Sequence, residues 1–450
     1  MKKPLLFAFM LLCTATYAQE HFSGINTSKR VGILNASLNP AEFANMSNDH
    51  EINIIGVSFN VANNKISFGD LVKGVDNFEN LVFGGTEATN LRGDIEILGP
   101  SFAMKVNKWA FAVTSGAKIK ADFVDVDVNI GNAVTDAAED AILTGSPVFI
   151  NTNYNQRATA TTWGEIGLSA AREVFNNEEH RFTGGVTLKF IFPGSYANMS
   201  ADRFRGTITR TGTDVELTDA SANINLAYSG SLAEDFTDSS NFTNFFAGGL
   251  NGFAADLGVS YQWKDRDNGD TRLNAGLSVR NLGSMTFKDD NNVSRGYQLE
   301  VGPTESLSLN QFEGVEDLRD IERILSENSQ YFTSTGEQKD FKVKLPTVFS
   351  AYADVKVYNS LHVTAYTQQK LNEDNDNEQI TTQNIISVTP RYTVNIFEAY
   401  VPLAHNEVSG FTTGLGFRLG GFFIGSSSII SAAVSDIDQA DAYVGFRYGF

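Results

Sequence analysis

The chain is 450 residues long, with a formal charge of −19, 39 glycines and 34 phenylalanines. So acidic a chain presents no basic field to phosphate, which excludes nucleic acid as a partner. No uncharged apolar run of about 18 residues follows the N-terminal segment, so a membrane would have to be crossed by a closed sheet rather than by helices.

In chain order, Lys2 and Lys3 make a charged start, Leu5 to Cys13 a short apolar run, and Thr16-Tyr17-Ala18 a small-residue cleavage site. Residues 1–18 therefore read as a Sec signal peptide, with the mature chain starting at Gln19. Cys13 is the only cysteine, so the mature chain has no disulfide and no thiolate metal site. Residues 19–50 are polar, with the turn initiator Asn39-Pro40 at their centre. Strands follow near Glu51–Ala62, Asp94–Val106 and Trp109–Phe123. Asp125 to Asn155 reads as a loop with a helical piece at Ala133–Leu143. Strands resume at Thr162–Val174 and Arg181–Phe192, with shorter ones at Phe204–Thr211 and Asp214–Tyr228.

The alternation is cleanest in the middle of the chain. In Phe253–Trp263 the odd positions are apolar or aromatic, while Asp256, Gly258, Ser260 and Gln262 face away. Leu273–Val279 and Thr347–Val357 repeat the pattern. Period-two segments of this length are those of a tilted membrane strand, lipid on one side and lumen on the other. Residues 301–342 form an insertion with an amphipathic helix at Val315–Leu325. An acidic loop, Asn372–Glu378, precedes final strands near Asn384–Asn395, Phe397–Asn406, Thr412–Leu419, Phe422–Ser431 and Ala442–Phe450. In the last of these Phe446, Tyr448 and Phe450 share one face, and Tyr443, Gly445 and Arg447 the other. A terminal strand of this kind resembles the signal by which bacterial outer-membrane barrels are recognised for insertion. The expected fold is all-β: a transmembrane antiparallel barrel of about 14 strands, an even number being usual.

Four further segments carry a resemblance. Leu38-Asn39-Pro40-Ala41 resembles the Asn-Pro-Ala element in the N-terminal segment of FadL-type long-chain fatty-acid transporters. Leu257 to Tyr261, Val279 to Gly283 and Leu345-Pro346 are similar to the strand order of FadL-like barrels in Bacteroidota. That group includes the barrel accompanying the type IX secretion system. The resemblance covers most of the mature chain. It implies a fourteen-stranded outer-membrane porin-like barrel, 51–450, whose residues 19–50 fold into the lumen as a hatch centred on Asn39, Pro40 and Ala41. Glu42 departs from the pattern, which has Gly there, and the 301–342 insertion lies outside it.

Little else points to chemistry. The five histidines have no partner at zinc spacing, and no nucleophile–base pair is local, so neither an enzyme nor a cofactor is expected. Asp122, Asp125 and Asp127, and likewise Asp374 and Asp376, have Ca²⁺-like alternation but read better as a solvated rim. Inward charges such as Glu165, Lys189, Asp256, Arg280 and Arg447 are mixed in sign, which suits a plugged lumen better than the alternative, the wall of a polar pore. Phe236, Phe242, Phe245 and Phe246 make one loop apolar and are the candidate ligand or partner contact. The expected function is a conduit or binding barrel for a hydrophobic small molecule. The alternative is a scaffold barrel in an envelope secretion or barrel-assembly complex. Expected partners are outer-membrane lipid and lipopolysaccharide, the barrel-assembly machinery during insertion, and either that ligand or an envelope complex.

Overall fold

A strand whose side chains alternate between two environments can bury its backbone groups in lipid only if the sheet has no edge. The computed structural model describes residues 21–67, 69, 81–134, 147–233, 239–288, 291–313, 315, 318–434 and 437–450. About 61% of the described residues are strand, and fourteen antiparallel strands close into one ring. The first half is β1 (His50–Asn63), β2 (Thr89–Leu98, resuming as Ser101–Val106), β3 (Trp109–Val126), β4 (Asn155–Asn176), β5 (His180–Thr211), β6 (Gly252–Lys264) and β7 (Thr271–Phe287). The second is β8 (Phe341–Lys344, then Val348–Tyr358), β9 (Leu361–Lys370), β10 (Ile385–Val394), β11 (Phe397–Tyr400, then Leu403–Asn406), β12 (Gly410–Thr413, then Leu415–Leu419), β13 (Phe422–Ser426) and β14 (Gln439–Gly449). The seam joins β14 to β1, from Glu51 opposite Gly449 to Ala62 opposite Gln439. No described helix is long and apolar enough to cross a membrane.

The two ends of the ring differ. At one, strands are joined by tight turns in which Asn107, Asn359, Asn395 and Gly420 take positive φ, a conformation open to Asn and Gly at little cost. His50 and Phe450 meet at this end through paired backbone bonds of 3.0 and 2.9 Å. The long connections all leave the opposite, outer end.

The alternation works as the sequence implies. Phe446, Tyr448 and Phe450 are exposed on the outer wall, whereas Tyr443 and Arg447 are buried inside. Leu257, midway along β6, is 49% exposed on the outer face. Leu257→Arg should therefore destabilise the barrel by about 2–4 kcal/mol in a bilayer. Urea unfolding in lipid vesicles measures this, and a change within 0.5 kcal/mol (roughly the noise of surface substitutions) would place Leu257 in water.

Several boundaries differ from the sequence reading. Phe204–Thr211 is the tail of β5, a strand of 32 residues that runs on past the ring. Asp214–Ser229 folds back along that tail and also pairs with Val293–Val301, which pairs with Phe332–Gln338. With Val148–Asn151 on the other side of β5 and the helix Leu318–Glu327, these strands build an outer lobe. The lobe therefore begins before residue 301. The helical piece at Ala133–Leu143 is seen as Val128–Val134, and residues 135–146 lie outside those described, as do residues 1–18. β13 stops at Ser426 rather than Ser431. There Ser427 N–H and Ser428 Oγ donate to Asp441 at 2.7 and 2.5 Å, and Ile429–Val434 turns helical.

Candidate functional site

The lumen is filled from the tight-turn end by the N-terminal segment, nearly all of whose residues from Phe22 to Met46 are buried. It folds as a short helix, Ile33–Leu38, followed by a 3₁₀ turn, Pro40–Asn45. Asn39 caps that turn by accepting from Ala41 N–H at 3.0 Å, and Pro40 stands where its missing N–H costs nothing. Ile33 and Phe43 pack on Ala103, Ala110, Ala112 and Ala171, small residues that keep the wall thin. Three glycines of β5, β6 and β7 make the seat of the Asn39-Pro40-Ala41 element. A Cβ on Gly185 would lie 2.5 Å from Pro40, and one on Gly258 or Gly276 would strike Asn39. Asn39 Nδ2 also donates to Val259 O at 2.9 Å.

Glu42 fastens the segment to the wall. Its side chain is buried and accepts from Ser260 Oγ at 2.7 Å, Asn274 Nδ2 at 3.2 Å, Asn45 Nδ2 at 3.1 Å and the Tyr352 hydroxyl. The residue that breaks the Asn-Pro-Ala-Gly pattern thus ties the segment to three wall residues, Ser260, Asn274 and Tyr352. Lower down, Arg391 reaches Asp354 and Glu398, each at 3.2 Å, and donates to Gly24 O and Thr27 O at 2.6 and 2.7 Å. Glu51 accepts from Ile33 N–H at 2.9 Å and pairs with Arg447 at 3.3 Å. Arg391 and Arg447 thus have carboxylate partners, while Glu42 relies on neutral donors, so that buried charge here is either paired or hydrogen-bonded.

The outer mouth of the lumen is covered as well. The connection 371–384 turns inward between β9 and β10, and Gln379 to Gln383 are buried. Cations hold it: Arg92 on Asp374 at 3.6 Å, Lys370 on Asp374 at 2.7 Å, Lys344 on Asp376 at 3.0 Å, and Arg157 on the Asp376 carbonyl. Thr381 donates to Asp122 at 2.8 Å. Asp374 is thus held among cations at the mouth, whereas Asp376, 65% exposed beside Lys344, stays on the solvated rim. Among the described residues no three His, Cys, Asp or Glu side chains converge as metal ligands.

Between the two closures lie adjoining cavities of about 70 and 60 Å³. Ser37 and Leu38 floor the first, and Thr382 roofs it. Their walls carry the pairs Lys118–Glu96 at 3.2 Å, Lys189–Asp256 at 2.8 Å and Lys120–Asp94. Arg280 donates to Gln368 at 2.8 Å, and Glu165 lines the second cavity.

The outer lobe is the chemical opposite. It encloses a cavity of about 200 Å³ whose lining, including Met199, Phe204, Ile224, Leu299, Ile321 and Leu325, is apolar throughout. The helix Leu318–Glu327 turns Leu318, Ile321 and Leu325 into this core. A polar clasp holds it: the Tyr228 hydroxyl and Arg295 both donate to Glu322. Burial, and then the Glu322 bond, pushes the Tyr228 phenol up.

The phenylalanine loop is divided by the fold. Phe242 packs on the lobe core. Phe245 accepts from Gly164 N–H at 2.8 Å. Phe246 lies over Gly164 on the outer wall, its ring 5.3 Å from Phe192, and is 51% exposed. Phe236 lies outside the described residues. Of the cavity-lining residues, Val315, Ile321 and Leu325 lie on the amphipathic helix read from the sequence, but their role in a cavity was not legible. The strand side gave only the apolar inward set of Asp214–Ser229 (Val215, Leu217, Ala220, Ala222, Ile224 and Leu226), which a ring strand would share.

Comparison with known proteins adds three solved structures of low similarity. One is titled "TodX deltaS2S3 mutant monoaromatic hydrocarbon channel", at 9% identity over 93% of this chain and 95% of that one, TM-score 0.47. The P. putida toluene transporter TodX has 8% identity over 93% and 94%, TM-score 0.45. The Ralstonia pickettii toluene transporter TbuX has 10% over 94% and 94%, TM-score 0.41. No curated protein sequence matches. Residues 40–427, from the Pro40 turn to the serine cluster after β13, match a single family description, and the chain accordingly belongs to the family of unknown function DUF5723.

Proposed function

We propose that this chain is an outer-membrane barrel that binds a hydrophobic small molecule in its outer lobe, above a lumen stopped by residues 19–50 acting as a hatch. The carrying observation is the apolar cavity of about 200 Å³ outside the ring. An apolar cavity of roughly 150 Å³ stays dry and takes up benzene. A site of this size with no polar side chain on its wall selects mainly by shape and desolvation. The reading includes export by the 1–18 signal and recognition of Phe446, Tyr448 and Phe450 by the barrel-assembly machinery. The scaffold alternative, including a part in type IX secretion, leaned on the helix of the 301–342 insertion. The apolar face of that helix is occupied within the lobe, which leaves this alternative with less support.

The test is a benzene titration of the barrel in lipid nanodiscs, read as thermal unfolding. A saturable rise in the midpoint is expected for the native chain. It should vanish in Leu299→Trp, which fills the cavity, and persist in Leu257→Ala on the outer wall. An equal rise in all three would mean that benzene acts through the lipid, and the reading would be abandoned.

A further inference from the structure

The lumen and the lobe cavity differ so sharply in chemistry that one solute would not suit both. We infer that the lumen is a separate device: a pore for small polar solutes, shut by two gates in series, the N-terminal segment inside and residues 371–384 outside.

Three observations carry this. First, the outer segment is not surface loop. Gln379 to Gln383 are buried inside the ring, and Ile380 packs beside Trp163, Tyr196 and Phe341 of the wall. A connection of this length on a β-barrel would ordinarily stand in water, where its backbone is solvated. Here the backbone is served by the wall: Asn155 Nδ2 donates to Asn375 O at 3.0 Å, Gln368 Nε2 to Gln383 O at 3.2 Å, and Ile380 N–H to Lys344 O at 3.0 Å. Second, the grip is electrostatic and reversible in kind. Asp374 and Asp376 are held by Arg92, Lys370 and Lys344, which reach them from β2, β9 and β8. Such pairs at a water-exposed mouth are weak singly and hold as a set. Third, the space between the closures is polar and charge-balanced. Lys118, Lys120, Lys189 and Arg280 face Asp94, Glu96, Glu165 and Asp256 around the two cavities. A hydrocarbon would have to displace water from these groups with no compensating bond, which is strongly unfavourable. Water, ions and small polar solutes would not. The cavities share Ser37, Glu96, Lys118, Arg280 and Asn281 on their walls, so they form one chamber with a gate at each end.

Two stops in series make a clear prediction for conductance. In planar bilayers with KCl, the native barrel should be silent. Removal of residues 22–46 alone should leave it nearly silent, because the outer segment still fills the mouth. Replacement of 373–383 by a short Gly-Ser turn alone should do the same, because the inner segment remains. Both changes together should raise conductance at least tenfold over either one, with weak preference between K⁺ and Cl⁻ given four cations against four anions. Heat-modifiable migration in gels confirms that each variant is a closed barrel. Should the turn replacement fail to fold, Asp374→Asn with Asp376→Asn keeps the backbone and should raise the open fraction of the barrel lacking 22–46. Full conductance on removing 22–46 alone would overturn the outer gate. Silence of the folded double variant would overturn the pore. Neither result bears on benzene binding in the lobe, so the two readings fail separately.

Discussion

Arg391→Met should cost the folded barrel about 3–5 kcal/mol, the usual penalty for removing one partner of a buried charge cluster. Arg391 is fully buried between Asp354 and Glu398 and also donates to the Gly24 and Thr27 carbonyls. Methionine fills much of the same volume but returns no charge. Glu398 keeps Arg418 at 3.4 Å, and Asp354 keeps His362 at 3.2 Å. Both carboxylates nevertheless lose their closest permanent cation. The two carbonyls belong to the N-terminal segment, so the wall and its filling weaken together. Urea unfolding in detergent, followed by heat-modifiable migration, measures the loss. Arg391→Lys restores charge but not the planar fork, and should recover only part of it. A loss under about 1 kcal/mol for the methionine variant would mean that water reaches this cluster and screens it.

The second large effect is expected at Glu42, and it should appear in docking of the segment before it appears in the wall. Bonds to a charged acceptor contribute about 1.5–3 kcal/mol each, and a buried donor left without one costs about 1–3 kcal/mol. Glu42→Ala strips the acceptor from Ser260, Asn274, Asn45 and Tyr352 at once. Water entering the vacated space would satisfy some of them, so a net loss of about 3–5 kcal/mol is expected. Glu42→Gln retains one carbonyl oxygen and should lose about half as much. The readout is maleimide labelling of an Ala44→Cys reporter, since Ala44 is 2% exposed in the seated segment. Labelling should accelerate by at least tenfold in the alanine variant. An unchanged rate would show that Asn39 and the glycine seat hold the segment without Glu42.

Much of the wall was legible because period-two alternation is a direct print of lipid on one face and lumen on the other. Phe253–Trp263 and Ala442–Phe450 read correctly residue by residue for that reason. β9 did not stand out, because its lumen side carries Tyr366 while its outer side includes Thr367 and Gln369, which blurs the contrast. The lobe was illegible for a different reason. Asp214–Ser229 has the alternation of a ring strand, yet its apolar side faces another part of the protein rather than lipid, and alternation alone cannot tell the two apart. The placement of Asn39-Pro40-Ala41 in the lumen came from a resemblance. The importance of Glu42 could not come from it, since its donors are scattered from Asn45 to Tyr352 along the chain. The contacts of the acidic loop Asn372–Glu378 with Arg92 and Arg157 were not legible either, because those partners are remote in sequence. Burial of charge is decided by such long-range pairing, which composition does not record.

The seam has a kinetic consequence. Because β1 and β14 are mutual partners, the ring is closed by pairs far apart in sequence, such as Glu51 opposite Gly449. Contacts so far apart in sequence form late, since loop-closure entropy must be overcome before they contribute. Until the final 11-residue strand arrives, every earlier strand belongs to an open ribbon with two bare hydrogen-bonding borders. A ribbon of this kind is prone to stray pairing for as long as it stays open, so the risk ends only when the seam closes.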